Sequence, residues 1–172
     1  MTADVAIAGH EEFEKLIPRL AEILIDAVES GAGVSFMLPL PKAEAEAFWR
    51  GQVSDVAAGR TFPVIARTNG EVAGVVLLHK AWPPNQPHRA EIAKLLVHRQ
   101  HRRKGLGAAL VGAAEAKARA LGLRLITFDA VAHGAADALY RGLGFRAAGV
   151  IPGYAFSPTG ELDDTVVFYK QL

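Results

Sequence analysis

The chain contains no cysteine. That absence removes disulfides, thiolate nucleophiles and Cys-ligated zinc from consideration. An excess of one charge is missing too. Nineteen Lys and Arg stand against 18 Asp and Glu, for a formal net charge of +1, too little for a protein that attracts nucleic acid through its overall field. The first ten residues lack a basic stretch followed by a long apolar core, so no signal peptide is expected. No uninterrupted apolar run reaches the roughly 20 residues of a membrane span. There is no His-Glu-x-x-His pair and no Gly-x4-Gly-Lys-Ser/Thr phosphate loop. Repeats, low-complexity tracts and linkers are also absent. The expectation is a cytoplasmic protein with no metal, no membrane partner and no nucleic-acid partner.

What is present is a core. Of 172 residues, 51% are hydrophobic and 22% charged, which predicts a single globular domain over 1–172. Val5 to Ile7 reads as a short strand. Residues 11–30 form an amphipathic helix on Phe13, Leu16, Leu20, Ile23, Leu24 and Val28. Pro18 predicts that this helix bends or starts late. Residues 34–41 are apolar but punctuated by proline, either a core plug or a pocket wall, with the core reading favoured. A second helix covers 42–58. Residues 61–68 and 71–78 are strands joined by Asn69-Gly70, a strong hairpin signal. A proline-rich loop, 82–88, precedes the strand 91–97. A long Ala-rich helix then reaches Leu121. Strand 123–130, helix 135–143, strand 146–151, a Gly/Pro loop over 152–164 and strand 165–171 complete a mixed α/β sheet.

The junction between strand 91–97 and the Ala-rich helix carries the chemistry. It reads His98-Arg-Gln-His-Arg-Arg-Lys-Gly105-Leu-Gly107. Glycine allows close backbone approach, and a helix N-terminus offers unpaired N–H groups and partial positive charge. Arg102, Arg103 and Lys104 add full charge, so the turn suits a pyrophosphate. Leu110 stands where a dinucleotide-binding fingerprint needs its third glycine. A nucleic-acid patch on Arg99, Arg102, Arg103 and Lys104 lacks stacking aromatics beside it. A merely solvated basic helix entrance remains open on this turn alone.

A second motif follows some thirty residues on. Arg102-Arg-Lys-Gly105-Leu-Gly107 fits Arg/Gln-x-x-Gly-x-Gly/Ala, and Ala136-x-x-Leu139-Tyr140-x-x-Leu143-Gly144-Phe145 comes after it. The pair, in this order, resembles the GNAT superfamily of acyl-CoA-dependent N-acyltransferases, over nearly the whole chain. Gly33-Val-Ser-Phe-Met37, Arg89-Ala-Glu-Ile-x-Lys-Leu95, Asp129, Pro152-Gly-Tyr154, Pro158-x-Gly160 and Phe168-Tyr-Lys170 further resemble the tabtoxin-resistance acetyltransferases of that superfamily, which act on a toxin amine.

The resemblance implies a GNAT fold: a mixed sheet of six to seven strands, splayed near the acyl-CoA site, with about four flanking helices. It implies acetyl-CoA as cosubstrate and a small-molecule amine as acceptor, with a homodimer as the usual assembly. Arg102, Arg103, Lys104, Gly105, Leu106, Gly107 and Ala108 would receive the diphosphate. Leu95, Leu96 and Val97 would pair with the pantetheine arm like an added strand, and His133 stands where the superfamily often has an Asn against that arm. Tyr140 would be the acid for the departing thiolate. Asp129, or Glu91 acting through water, would be the base, since a lysine-like amine with pKa near ~10.4 must lose a proton before it attacks. Asp129 interrupts an apolar strand and is expected to be buried. Ser35, Phe36 and Met37, with Trp82, Tyr154 and Phe156, are candidates for substrate contact. Two alternatives stay open: a non-catalytic acyl-CoA-binding regulatory module, and a protein or peptide N-acetyltransferase.

Overall fold

The computed structural model describes residues 3–172. Strand β1 (Ala3–Ile7) leads into helices α1 (His10–Glu29) and α2 (Lys42–Ala57). Strands β2 (Thr61–Thr68), β3 (Glu71–Lys80) and β4 (Arg89–Val97) follow. A 3-10 turn (Arg99–His101) precedes α3 (Leu106–Ala120), β5 (Leu125–Val131), α4 (Ala135–Gly142), β6 (Arg146–Phe156) and β7 (Leu162–Gln171). The strands form one seven-stranded sheet in the order β1-β2-β3-β4-β5-β7-β6. All neighbours are antiparallel except β4 and β5, which run parallel. This is the mixed α/β architecture expected from the sequence. Among the described residues, no helix is long and apolar enough to cross a membrane.

The sheet is covered on both faces. On one, Val76, Leu78, Ile92, Ile126, Phe128 and Phe168 pack with Leu110, Val111 and Ala114 of α3 and Tyr140 of α4. On the other, Ile65, Val75, Leu77 and Leu96 meet Phe13, Leu20 and Leu24 of α1 and Trp49 of α2. Helix α1 starts at His10 and runs unbroken through Pro18, contrary to a late start. Pro18 is exposed, so the carbonyl it leaves unpaired one turn earlier faces water. Asn69 and Gly70 both take positive φ, 54° and 84°, the conformation a two-residue hairpin turn needs.

The region expected to be a loop over 152–164 is largely strand. Strand β6 continues to Phe156 and β7 begins at Leu162, with a register irregularity between Ile151 and Ala155. Proline and glycine break interior strands, but β6 is an edge strand, where Pro152 breaks no ladder and Gly153 (φ 57°) sits at the bulge. Every residue of β6 is exposed, including Val150, Ile151, Tyr154 and Phe156.

A bulge in β4 sets up the site. Val75 pairs with Leu96 but Leu77 pairs with Ala93, so one residue of β3 faces two of β4. Lys94 takes φ 53° there. Strict alternation would put Lys94 on the same side as Ala90 and Ile92, in the α3 core. The bulge turns it to the opposite face and reverses the phase, so that Leu96 joins the α1/α2 core. Gly74 makes room for this crossing: a Cβ on it would stand 2.8 Å from the Leu96 carbonyl oxygen. Gly74→Ala is expected to cost about 2 kcal/mol, measurable as a lowered midpoint in urea unfolding.

Candidate active site

Strands β4 and β5 pair only through Arg89, Ala90 and Glu91, opposite Leu125, Ile126 and Thr127. Beyond Glu91 they part. The edge of β4 that faces β5 from Ile92 onward has no strand partner there, so its backbone groups, other than the Val97 carbonyl that Arg102 engages, are open to an extended, amide-bearing chain. The opening contains the bulge and ends at the basic turn.

Gly105 caps α3 in a left-handed conformation (φ 80°), and Arg103 before it is also left-handed (φ 62°). These reversals bring the chain sharply into the helix. Open space surrounds the position a Cβ would take on Gly105, while one on Gly107 would press against Leu139 of α4 at 3.1 Å. Leu106 is buried and anchors the first turn of α3. The turn thus presents a helix N-terminus beside glycine and exposed cations, which fits an anionic diphosphate.

The basic side chains do not all point to that ligand space. The Nε of Arg102 donates to the Val97 carbonyl at 2.8 Å, and its guanidinium lies 3.4 Å from Asp26. Arg99 donates to Asp26 through both its backbone N–H (2.9 Å) and its guanidinium, and reaches Glu29 at 3.4 Å. Lys104 donates to the Gln100 carbonyl at 3.0 Å. Among the described residues Arg103 has no ion-pair partner, and it is exposed. Asp26, buried at 7% exposure near the end of α1, is therefore the clamp that holds the turn onto the helix layer. Sequence reasoning missed it. The available signal was a carboxylate in the apolar run Ile23-Leu-Ile-Asp26-Ala-Val28.

Helix α4 brings Tyr140 to the back of the opening. The ring is 5% exposed and packs against Phe128 (4.3 Å between centroids), Phe145 (5.8 Å) and Phe168 (5.8 Å). Burial pushes its phenol well above the usual tyrosine range, so it stays protonated at neutral pH. The entry to α4 is fixed by Asp137, which accepts from the His133 N–H at 3.0 Å and from Arg141 at 2.5 Å. Burial works to raise the Asp137 carboxyl, but these partners together hold it below its ordinary range. His133 is exposed and left-handed (φ 60°).

The front face carries the carboxylates. Asp129 is exposed, not buried as expected. It alternates with Phe128, whose side chain enters the core, and the helices on its own face of the sheet pack over β2, β3 and β4 rather than β5. The Thr165 hydroxyl lies 3.2 Å from Asp129 Oδ2 and 3.0 Å from the Ala130 carbonyl. Glu91 is also exposed and accepts from Arg89 at 2.6 Å. Arg89 in turn donates to Thr127 at 2.6 Å, bridging the two strands where they last pair.

The 31–41 segment closes the mouth. Phe36 is half-buried against Phe48 (5.4 Å), Leu40 is buried, and Met37 and Leu38 are exposed. The segment is both plug and wall. Leu38 N–H donates to the Pro158 carbonyl at 3.0 Å, pinning it to the β6–β7 turn. Ser35 (φ 74°) accepts from Lys94 Nζ at 3.1 Å. Trp82 lies on the loop into the N-terminal end of β4, 88% exposed, and the structure leaves it on the surface. Tyr154 is 54% exposed on β6.

An open mixed sheet whose parallel strands separate beside a glycine-rich helix N-terminus suits an extended ligand with an anionic end. A family profile described as Acetyltransferase (GNAT) family matches residues 25–145, and the chain belongs to that family of acetyl-CoA-dependent acetyltransferases. Solved structures agree on the fold. A GCN5-related N-acetyltransferase from Kribbella flavida superposes with a TM-score of 0.81 at 23% identity, over 99% of this chain and 98% of that one. A putative acetyltransferase from Salmonella typhimurium, solved with its cofactor acetyl-CoA, gives 0.81 at 19% identity, over 100% and 95%. A ribosomal-protein-alanine N-acetyltransferase from Brucella melitensis gives 0.80 at 22%, over 98% and 99%.

Proposed function

We propose that this protein transfers the acetyl group of acetyl-CoA to the primary amine of a small polar molecule, of the amino-acid-like kind found among toxins and antibiotics. One observation supports this reading above the others. Strands β4 and β5 stop pairing after Glu91 and Thr127, and the next two residues of β5 are Phe128, which packs on Tyr140, and Asp129, which is exposed.

In this reading the turn of residues 102–108 receives the diphosphate and Arg103 supplies the free charge. The unpaired edge at Leu95, Leu96 and Val97 receives the pantetheine amides, and His133 borders the arm. Asp129, half-solvated and held by Thr165, takes the ammonium of the acceptor and accepts its proton directly or through water. The amine then attacks the thioester carbonyl. A backbone N–H of β4 near Val97 meets the oxyanion. As the C–S bond breaks, the Tyr140 hydroxyl donates a hydrogen bond to the departing sulfur. Glu91 is tied to Arg89 and stands in reserve as a base through water. Ser35, Phe36 and Met37 border the acceptor, with Tyr154 nearby on the sheet edge. The exposed apolar residues of β6 favour a homodimer, to be read from light scattering.

The test is a panel of amines with acetyl-CoA and detection of released thiol. Acetylation of small polar amines is expected. Tight acetyl-CoA binding with no acceptor would instead favour a regulatory module, and transfer only to peptide N-termini would favour a protein acetyltransferase. By calorimetry, Arg103→Glu is expected to weaken acetyl-CoA about tenfold, the size of reversing one exposed charge beside phosphates.

A further inference from the structure

Lys94 is used by nothing in the mechanism above, yet the fold goes to some length to place it. It occupies the β4 bulge in a left-handed conformation, and its one hydrogen-bond partner, Ser35, is left-handed too, with φ of 53° and 74°. Neither is glycine, and each such residue is held against a cost of order 1–3 kcal/mol. Two strained residues from distant segments therefore meet in one contact at the mouth of the site.

The surroundings of Lys94 are those of a cation awaiting an anion. Its Nζ lies over the rings of Phe36 (5.6 Å) and Phe48 (5.3 Å) and donates to Ser35 at 3.1 Å. An ammonium has three donors, and the rings offer it no lone pair. Other partly buried cations of the fold are paired: Arg102 with Asp26, and Lys170 with Glu115 at 2.8 Å. Among the described residues no carboxylate lies within ion-pair distance of Lys94. Burial lowers its pKa, and the Asp129 charge works against that lowering. Asp129 and Lys94 face the same side of the sheet, across the gap between β4 and β5. A plain cationic amine bound at Asp129 would be repelled by Lys94. A molecule carrying a carboxylate as well as the amine would satisfy both.

We infer that Lys94, with the Ser35 hydroxyl, is the receptor for a carboxylate on the acceptor, so that the substrate is a zwitterionic α-amino acid or a close analogue, with its ammonium at Asp129 and its carboxylate at Lys94. This rests on the acetyltransferase reading above and narrows it. The rings of Phe36 and Phe48 exclude water from one side of the ion pair, which strengthens it. Lys94 acts in binding and selection, not in proton transfer.

The experiment uses the full chain, acetyl-CoA and a panel of L-α-amino acids, each paired with its carboxamide. The carboxamide has the more easily deprotonated amine, so chemistry alone would favour it. The expected result is a preference of roughly 10- to 100-fold in kcat/KM for the free acid, expressed in KM, the size of a charge-assisted hydrogen bond. Lys94→Met should abolish the preference with acetyl-CoA affinity unchanged, and Lys94→Arg should retain part of it. Equal use of acids and carboxamides by the wild type, or an undiminished preference in Lys94→Met, would overturn the inference, leaving Lys94 as an anchor for the 31–41 segment. If Lys94→Met does not fold, the wild-type preference decides. Turnover of other amines but of neither panel member would overturn the inference and leave the acetyltransferase reading standing. Failure to bind acetyl-CoA would remove the reading itself.

Discussion

Replacing Tyr140 with phenylalanine is expected to lower kcat by about 10²- to 10³-fold, the range of a positioned proton or hydrogen-bond donor, with little change in acetyl-CoA affinity or melting temperature. The reason for the split lies in the packing. Phe128, Phe145 and Phe168 surround the ring of Tyr140, and phenylalanine keeps every one of those contacts. Only the hydroxyl is lost. Because burial holds the phenol protonated across the neutral range, it is a donor at every pH at which the amine can react. A thiol ionises near ~8.5, below any tyrosine, and the same burial makes full proton transfer to the sulfur still less favourable, so the hydroxyl would act as a hydrogen-bond donor to the charge developing on sulfur in the transition state. Stopped-flow or steady-state thiol release measures kcat, and calorimetry measures the affinity. An unchanged kcat would leave Tyr140 as a packing residue.

Asp26→Ala is expected to destabilise the fold by about 2–3 kcal/mol and to weaken acetyl-CoA binding about tenfold. Asp26 is buried, and it gathers the Arg99 N–H, the Arg99 and Arg102 guanidiniums and, at 3.6 Å, His98 Nε2. Removing one partner of a buried pair costs about 3–5 kcal/mol. Arg99 and Arg102 are 50% and 37% exposed on their side chains, so water recovers part of that loss. What is not recovered is geometry: without the clamp, the turn of residues 102–108 is tied to α1 by fewer bonds, and its N–H groups must be ordered when the ligand arrives. Asp26→Asn keeps one acceptor oxygen and should lose less on both counts. Urea unfolding and calorimetry read the two effects on the same samples. A destabilised variant that binds acetyl-CoA as well as wild type would confine Asp26 to stability.

The parts of this site that were legible in the sequence are local ones. The Asn69-Gly70 hairpin, the Gly105-Leu-Gly107 helix entrance and the Leu139-Tyr140 helix each carry their signal within a few residues, and the structure has each of them. What was missed depends on segments far apart in sequence. The β4 bulge shows up only against the register of β3, although a lysine at a core-parity position in Ile92-Ala-Lys94-Leu-Leu was a visible anomaly. Asp26 and the turn it clamps are separated by more than seventy residues. Asp129 was expected to be buried because its strand neighbours are apolar. The strand is buried on the Phe128 side only, because α1 and α2 cover β2, β3 and β4 on the other face and leave β5 bare. The strand segments within 152–164 are hidden in the sequence because Pro152 and Gly153 break interior strands but not edge strands.

The most direct measurement is a crystal structure of the protein with acetyl-CoA. The diphosphate is expected on the N–H groups of residues 103–108 and the pantetheine along the free edge of β4. The thioester should lie between Tyr140 and Asp129. Acetyl-CoA bound elsewhere, or no acetyl-CoA at saturating concentration, would contradict this placement.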